Sequence, residues 1–109
     1  MTVMVPEKSL AQRLEALERA NVVRTRRARL KRDLTAGRRN VAVLLTEWPE
    51  EIDTMKVSDL LMAVRGVGRS RTTAMLRRAA VSPSKTVGGL TGRQRESLIA
   101  VLPARIRER

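Results

Sequence analysis

The sequence predicts an all-α protein, a long basic N-terminal helix followed by a small helical domain. Three observations carry this. Apolar residues recur at helical spacing in several separate stretches, no alternating run is long enough to pair as strands, and Gly and Pro fall between the periodic stretches. A chain of 109 residues has room for one modest core and an appendage, which divides it into a helical arm over residues 1–40 and a domain over 41–109.

The arm comes first. No Pro or Gly stands between Pro6 and Gly37, so residues 7–36 read as one long helix or two abutting ones, with Pro6 suited to the start and Gly37 to the end. Leu10, Leu14 and Leu17 form an apolar stripe that fades between Arg24 and Arg29 and resumes weakly at Leu30 and Leu34. A helix polar almost all round does not pack on a core by itself. Such an arm is expected either as a solvated, partly frayed segment or as a helix that orders fully on an anionic partner.

The domain follows in order. Residues 41–45 are a short apolar run, compatible with helical turns or a strand, stopped by Pro49; with Trp48 the run is expected to cap the core. Val57, Leu60, Leu61 and Val64 share one helix face, and Thr72, Met75, Leu76 and Ala79 repeat the spacing on a helix over residues 69–80. Between them Arg65-Gly66-Val67-Gly68 is a tight turn. Residues 81–90, with Pro83 and Gly88-Gly89, make a longer loop. Thr91 with Gln94 is a capping box that opens a third helix, with Leu98, Ile99 and Leu102 on its buried face. Pro103 ends or kinks that helix and leaves a short charged tail.

Composition narrows function. Lys and Arg number 23 against 11 Asp and Glu, a formal net charge of +12, and Cys and His are absent. Disulfides, thiolate zinc sites and hydrolases of the Ser-His or Cys-His type are thereby excluded, and no metal or cofactor is expected. No stretch reaches the roughly 18 apolar residues of a membrane span, and the first ten residues lack the apolar segment of a secretory signal, so a cytoplasmic location is expected. The charge calls for an anionic partner, nucleic acid before an acidic membrane surface. Trp48 is the lone aromatic residue, which leaves no platform for stacking single strands and favours a duplex.

The charge is also segregated. Arg24, Arg26, Arg27, Arg29, Lys31, Arg32, Arg38 and Arg39 face one acid, Asp33; Glu47, Glu50, Glu51, Asp53 and Asp59 then reverse the sign; residues 60–95 hold no acid. Within that last block the turn over residues 64–70 feeds a helix whose first amides lack intrahelical partners and carry the positive end of the dipole. Gly66 and Gly68 permit close approach, and Arg69 and Arg71 stand beside the helix start. The arrangement fits phosphate capture, and equally a plain hairpin turn with solvated arginines. Gly88, Gly89, Gly92, Arg93 and Arg95 repeat the theme at the third helix, where Thr91 and Gln94 compete for the same amides. Two such starts aimed the same way would grip phosphates on either side of a minor groove.

These residues carry a resemblance. The stretch 56–102 resembles a helix-two-turn-helix module, through Gly66-Val67-Gly68, Arg69-Ser70-Arg71, Ser82-Pro83 with Lys85, and Gly89-Leu90-Thr91 ahead of Gly92-Arg93-Gln94-Arg95. With the arginine-rich helix and Met55-Lys56-Val57-Ser58-Asp59-Leu60-Leu61, nearly the whole chain resembles the actinobacterial integration host factor family. The resemblance implies a nucleoid-associated protein that binds double-stranded DNA with little sequence preference, bends or compacts it, and assists phage integration. It also implies that Gly66 and Gly68 form the hairpin turn and that Arg69 stands where a phosphate-contacting Lys is usual. Arg93, Gln94 and Arg95 match the Arg-Gln segment of the third helix, and Arg24, Arg26, Arg27, Arg29, Lys31 and Arg32 match a helix that lies against DNA. Val67, Ser70, Arg71, Lys85 and Gly89 complete the expected contact set. Two departures stand out: Arg65 replaces a Pro before the hairpin, and the second turn carries Lys85 without further arginines.

Residues 67–90 also resemble the same module of a small-subunit ribosomal protein of the head, which makes structured RNA the alternative partner. That protein has its module first and a long basic extension last, the reverse of the order here, which favours DNA. Some DNA-repair glycosylases contain the module too, but they use an N-terminal proline nucleophile and usually a zinc finger. This chain has Met1-Thr2 and no Cys or His, so no enzyme is expected. The leucine stripe is too short for a coiled coil, and a monomer is expected.

Overall fold

Ser9 opens the first helix. Its hydroxyl accepts from the Gln12 amide at 3.2 Å while the Gln12 side chain accepts from the Ser9 amide at 2.8 Å, a capping box that sets the start of α1 (Leu10–Thr35). The computed structural model describes residues 9–107, so the start signal read at Pro6 lies outside the described residues. α1 is one continuous helix. It closes on Gly37 at φ 76°, with Gly37 N–H donating to Leu34 and Arg38 N–H to Asp33, the paired bonds of a Schellman motif. The Asp33 carboxylate also accepts from the Arg38 guanidinium at 2.9 Å and braces the turn.

The expected single stripe on α1 is two separate faces. Leu30 and Leu34 are 3% and 2% exposed and sit in the core, whereas Leu10, Leu14 and Leu17 are 67%, 52% and 59% exposed. Leu17 and Leu30 are 13 residues apart, which turns a helix by about 220°, so the second pair cannot continue the first stripe. The last third of α1 belongs to the core and the first part projects beyond it, giving a molecule 64 Å long and under 30 Å across.

Asn40 caps α2 (Val41–Thr46), its side-chain oxygen accepting from Ala42 at 2.8 Å and Val43 at 3.3 Å, so the apolar run is a helix rather than a strand. After Pro49 a single 3-10 turn (Glu50–Ile52) buries Ile52. α3 (Val57–Met62), α4 (Arg69–Arg78) and α5 (Gly92–Val101) are the three helices read from spacing, with Val57, Leu60, Leu61, Thr72, Met75, Leu76, Ala79 and Leu98 buried as their periodicity requires. The hydroxyl of Thr72 has no hydrogen-bond partner among the described residues. α4 ends on a Schellman motif that places Ala80, a non-glycine, at φ 56°. Pro103 ends α5, and the residues expected as a charged tail instead begin with α6 (Ala104–Arg107), whose Ile106 is buried in the core. Residues 108 and 109 lie outside the described residues.

The fold is all-α. Among the described residues the one β-type pairing is an isolated antiparallel bridge from Lys56 to Thr86. The Val57 amide donates to Lys85 and the Val87 amide to Met55, both at 2.9 Å, which ties the loop before α5 to the chain entering α3.

Candidate nucleic-acid interface

The turn into α4 is open. Gly66 takes φ 78°, a conformation that glycine adopts without steric cost, and the chain then runs extended through Gly68. Gly68 precedes α4 with no side-chain cap, and nothing lies within 4 Å of where its Cβ would stand. The first intrahelical bond is Thr72 N–H to Gly68 at 3.0 Å, so the amides of Arg69, Ser70 and Arg71 precede the ladder, and all three side chains are exposed. Partial positive charge from the helix gathers at the same point. Val67 does not share this role. Its side chain is buried and its amide donates to Val64 at 3.1 Å, so it anchors the turn from inside.

The start of α5 is partly closed, with the Gln94 amide taken and those of Gly92 and Arg93 left without a partner among the described residues. The Thr91 hydroxyl accepts from the Gln94 amide at 3.1 Å and the Gln94 side chain accepts from the Thr91 amide at 3.0 Å. Gln94, expected at the nucleic-acid surface, therefore spends its carbonyl oxygen on the helix cap. Arg95, expected at the same surface, turns inward. Its guanidinium donates to the carbonyls of Leu45, Val87 and Leu90 and stacks 4.0 Å from the centre of the Trp48 ring. Burial lowers its pKa below the ordinary arginine value, though a guanidinium stays charged at any physiological pH. The Trp48 indole in turn donates to Asp53 at 2.8 Å, which makes this lone aromatic a packing residue. Gly89 is also self-contained, its amide donating to the carbonyl and hydroxyl of Thr86. Lys85 is half-buried in the same loop. Gly92 and Arg93 remain outward at the helix start.

The basic residues of α1 do not form one surface. Arg24, Arg27 and Lys31 border a groove that Arg19, absent from the expected set, also lines. Arg26 lines an adjacent groove that shares Arg19 and Val23 with the first and is also bordered by Glu15, Glu18, Glu50 and Glu51. The Arg27 guanidinium donates to the Glu51 carbonyl and the Thr54 hydroxyl, holding the acidic segment against the helix. Arg29 and Arg32 are exposed. Helical spacing places Arg24, Arg27 and Lys31 on one face and turns Arg26 about 100° away from Arg27; which face meets the acidic segment is a long-range fact that spacing does not carry.

A protein-family model, the S13-like H2TH domain, matches residues 23–102. The chain is 36% identical over 97 residues to an integration host factor of Mycolicibacterium smegmatis, covering 87% of this chain and 92% of the relative. The chain belongs to the actinobacterial integration host factor family. The integration host factor of Mycobacterium tuberculosis is similar at 35% over 97 residues, with 87% and 92% of the two chains covered. A solved structure described as sIHF bound to an 8bp palindromic DNA superposes with a TM-score of 0.68 at 32% identity, over 74% of this chain and 93% of that one. The family match begins within α1 and stops at residue 102, so the projecting part of α1 and the whole of α6 fall outside it. Among the described residues no helix is long and apolar enough to cross a membrane.

Proposed function

We propose that this integration host factor relative is a non-enzymatic architectural protein of the cytoplasmic nucleoid that binds double-stranded DNA as a monomer, with little sequence preference, and bends or compacts it. The observation that carries the reading is the uncapped start of α4, where free amides, the positive end of the helix and the exposed Arg69 and Arg71 coincide. The names of the relatives and the DNA-bound structure support it. The contact set is Gly66, Gly68, Arg69, Ser70 and Arg71, with Arg93 at the second start and Arg24, Lys31 and Arg32 along the arm. Val67, Gly89, Gln94, Arg95 and Arg27 act as framework. Affinity then comes chiefly from counterion release, and sequence readout is weak because the contacts are to backbone. Bending would cost about 1–6 kcal/mol, recovered by engaging phosphates on two sides of the duplex.

Fluorescence anisotropy with a mixed-sequence duplex at several NaCl concentrations tests this. If roughly five to eight phosphates are neutralised, log K falls with log salt at a slope of about −4 to −7, whereas a flat response would contradict the reading. Competition with structured RNA at equal salt tests the alternative partner: duplex DNA is expected to win, and tighter RNA binding would transfer the function to RNA.

A further inference from the structure

A crevice of about 50 Å³ opens where the end of α1, the α3–α4 turn and α6 meet. Arg39, Arg65 and Arg105 line it, with the buried Leu34 and Ile106 among its walls. Among the described residues no Asp or Glu borders it, and the only ion pair joins Arg38 to Asp33, directing the neighbour of Arg39 elsewhere. A water needs about 10–15 Å³ of such space, so the crevice admits a larger group.

The third arginine is held in place by structure. Ile106 anchors α6 in the core, and the Asn40 side chain donates to the Arg107 carbonyl at 3.3 Å, tying α6 to the cap of α2. The Arg105 guanidinium then packs 3.0 Å from where a Gly66 Cβ would stand. Arg105 lies beyond residue 102, where the S13-like H2TH match ends. Three like charges brought to one partly apolar crevice repel one another; solvent screens these exposed groups in part, and a bound anion offsets the rest. Guanidinium forks suit an anion with several oxygens, and a tetrahedral phosphoryl group can accept from all three.

We propose that the Arg39–Arg65–Arg105 crevice is a binding site for a phosphoryl group. The group is either a backbone phosphate of a duplex running past the Gly66 turn, a source that rests on the DNA reading above, or the phosphate of a small phosphorylated ligand, a source that does not.

The test uses the full chain and the variant R39Q/R65Q/R105Q. Melting is followed against sodium pyrophosphate at constant ionic strength, and duplex affinity against NaCl. The parent is expected to gain about 4 °C or more, saturably, from pyrophosphate, and the variant to lose that gain. A duplex salt slope that also falls by about one in the variant identifies the DNA backbone as the source; an unchanged slope with lost pyrophosphate response identifies a small ligand. A variant that matches its parent in both measurements overturns the proposal. If the parent binds no duplex, the DNA reading fails while the pyrophosphate arm still decides the crevice. Should the triple variant not fold, Arg105→Gln alone, at an exposed position, is expected to reduce the same responses, and an unchanged Arg105→Gln would count against the site.

Discussion

The helices α4 and α5 both begin within three residues of a preceding glycine, and both carry arginine within their first turn. At α5 the chain takes the Gln94 amide into the Thr91–Gln94 box and turns Arg95 inward to three carbonyls, which leaves only the amides of Gly92 and Arg93. At α4 no group among the described residues takes the first three amides, and Arg69 and Arg71 stay in solvent. Glycine and arginine near a helix start therefore do not by themselves define a phosphate seat. The deciding quantity is how many donors the fold has left unspent.

The largest expected effect lies on the closed side. Arg95→Met keeps an apolar stem against Trp48 but strips the carbonyls of Leu45, Val87 and Leu90 of a partner. Urea unfolding should show a loss of about 2–4 kcal/mol, with the duplex salt slope unchanged; a slope reduced by one would return Arg95 to the interface. On the open side, Gly68→Ser meets no steric obstacle and supplies a hydroxyl that accepts from the α4 amides. It should stabilise the fold by a few tenths of a kcal/mol and weaken duplex binding about tenfold, as a charge-assisted bond to phosphate is lost. Equal binding would erase the distinction between the two starts. Thr91→Ala should cost about 1 kcal/mol in stability and leave duplex affinity within about twofold. The smallest effect is at the far end of α4, where Ala80→Gly relieves a left-handed alanine; the melting midpoint should rise by an amount equivalent to about 0.5 kcal/mol, since chain entropy offsets part of the gain.

The same contrast marks what the sequence made legible. Local signals were readable: the Thr91–Gln94 box, Gly37 as a helix end, the Gly66 turn and the buried faces of α3 and α4 all depend on residues within one or two turns of each other. The Ser9–Gln12 box carried the same signature, but Pro6 offered a competing start three residues earlier. What spacing could not reveal was long-range. The carbonyl of Leu45 that receives Arg95 is 50 residues away, and the Glu51 carbonyl that receives Arg27 is 24 away. α6 was hidden because Pro103 is a strong stop signal and four residues are too few to show a period, although buried Ile106 shows that the chain returns to the core. Arginine is the residue least readable from sequence here, because its long stem lets one position serve either the interior or the solvent.

The open helix start is tested most directly by the salt dependence of duplex binding for the parent and for Arg69→Gln/Arg71→Gln, measured by anisotropy on the same duplex. The parent slope should fall in magnitude by about 2 in the double variant while its melting temperature holds, because two phosphate contacts are removed and no internal bond is. A double variant that binds with the parent's slope and affinity would show that the phosphates are held elsewhere on the molecule.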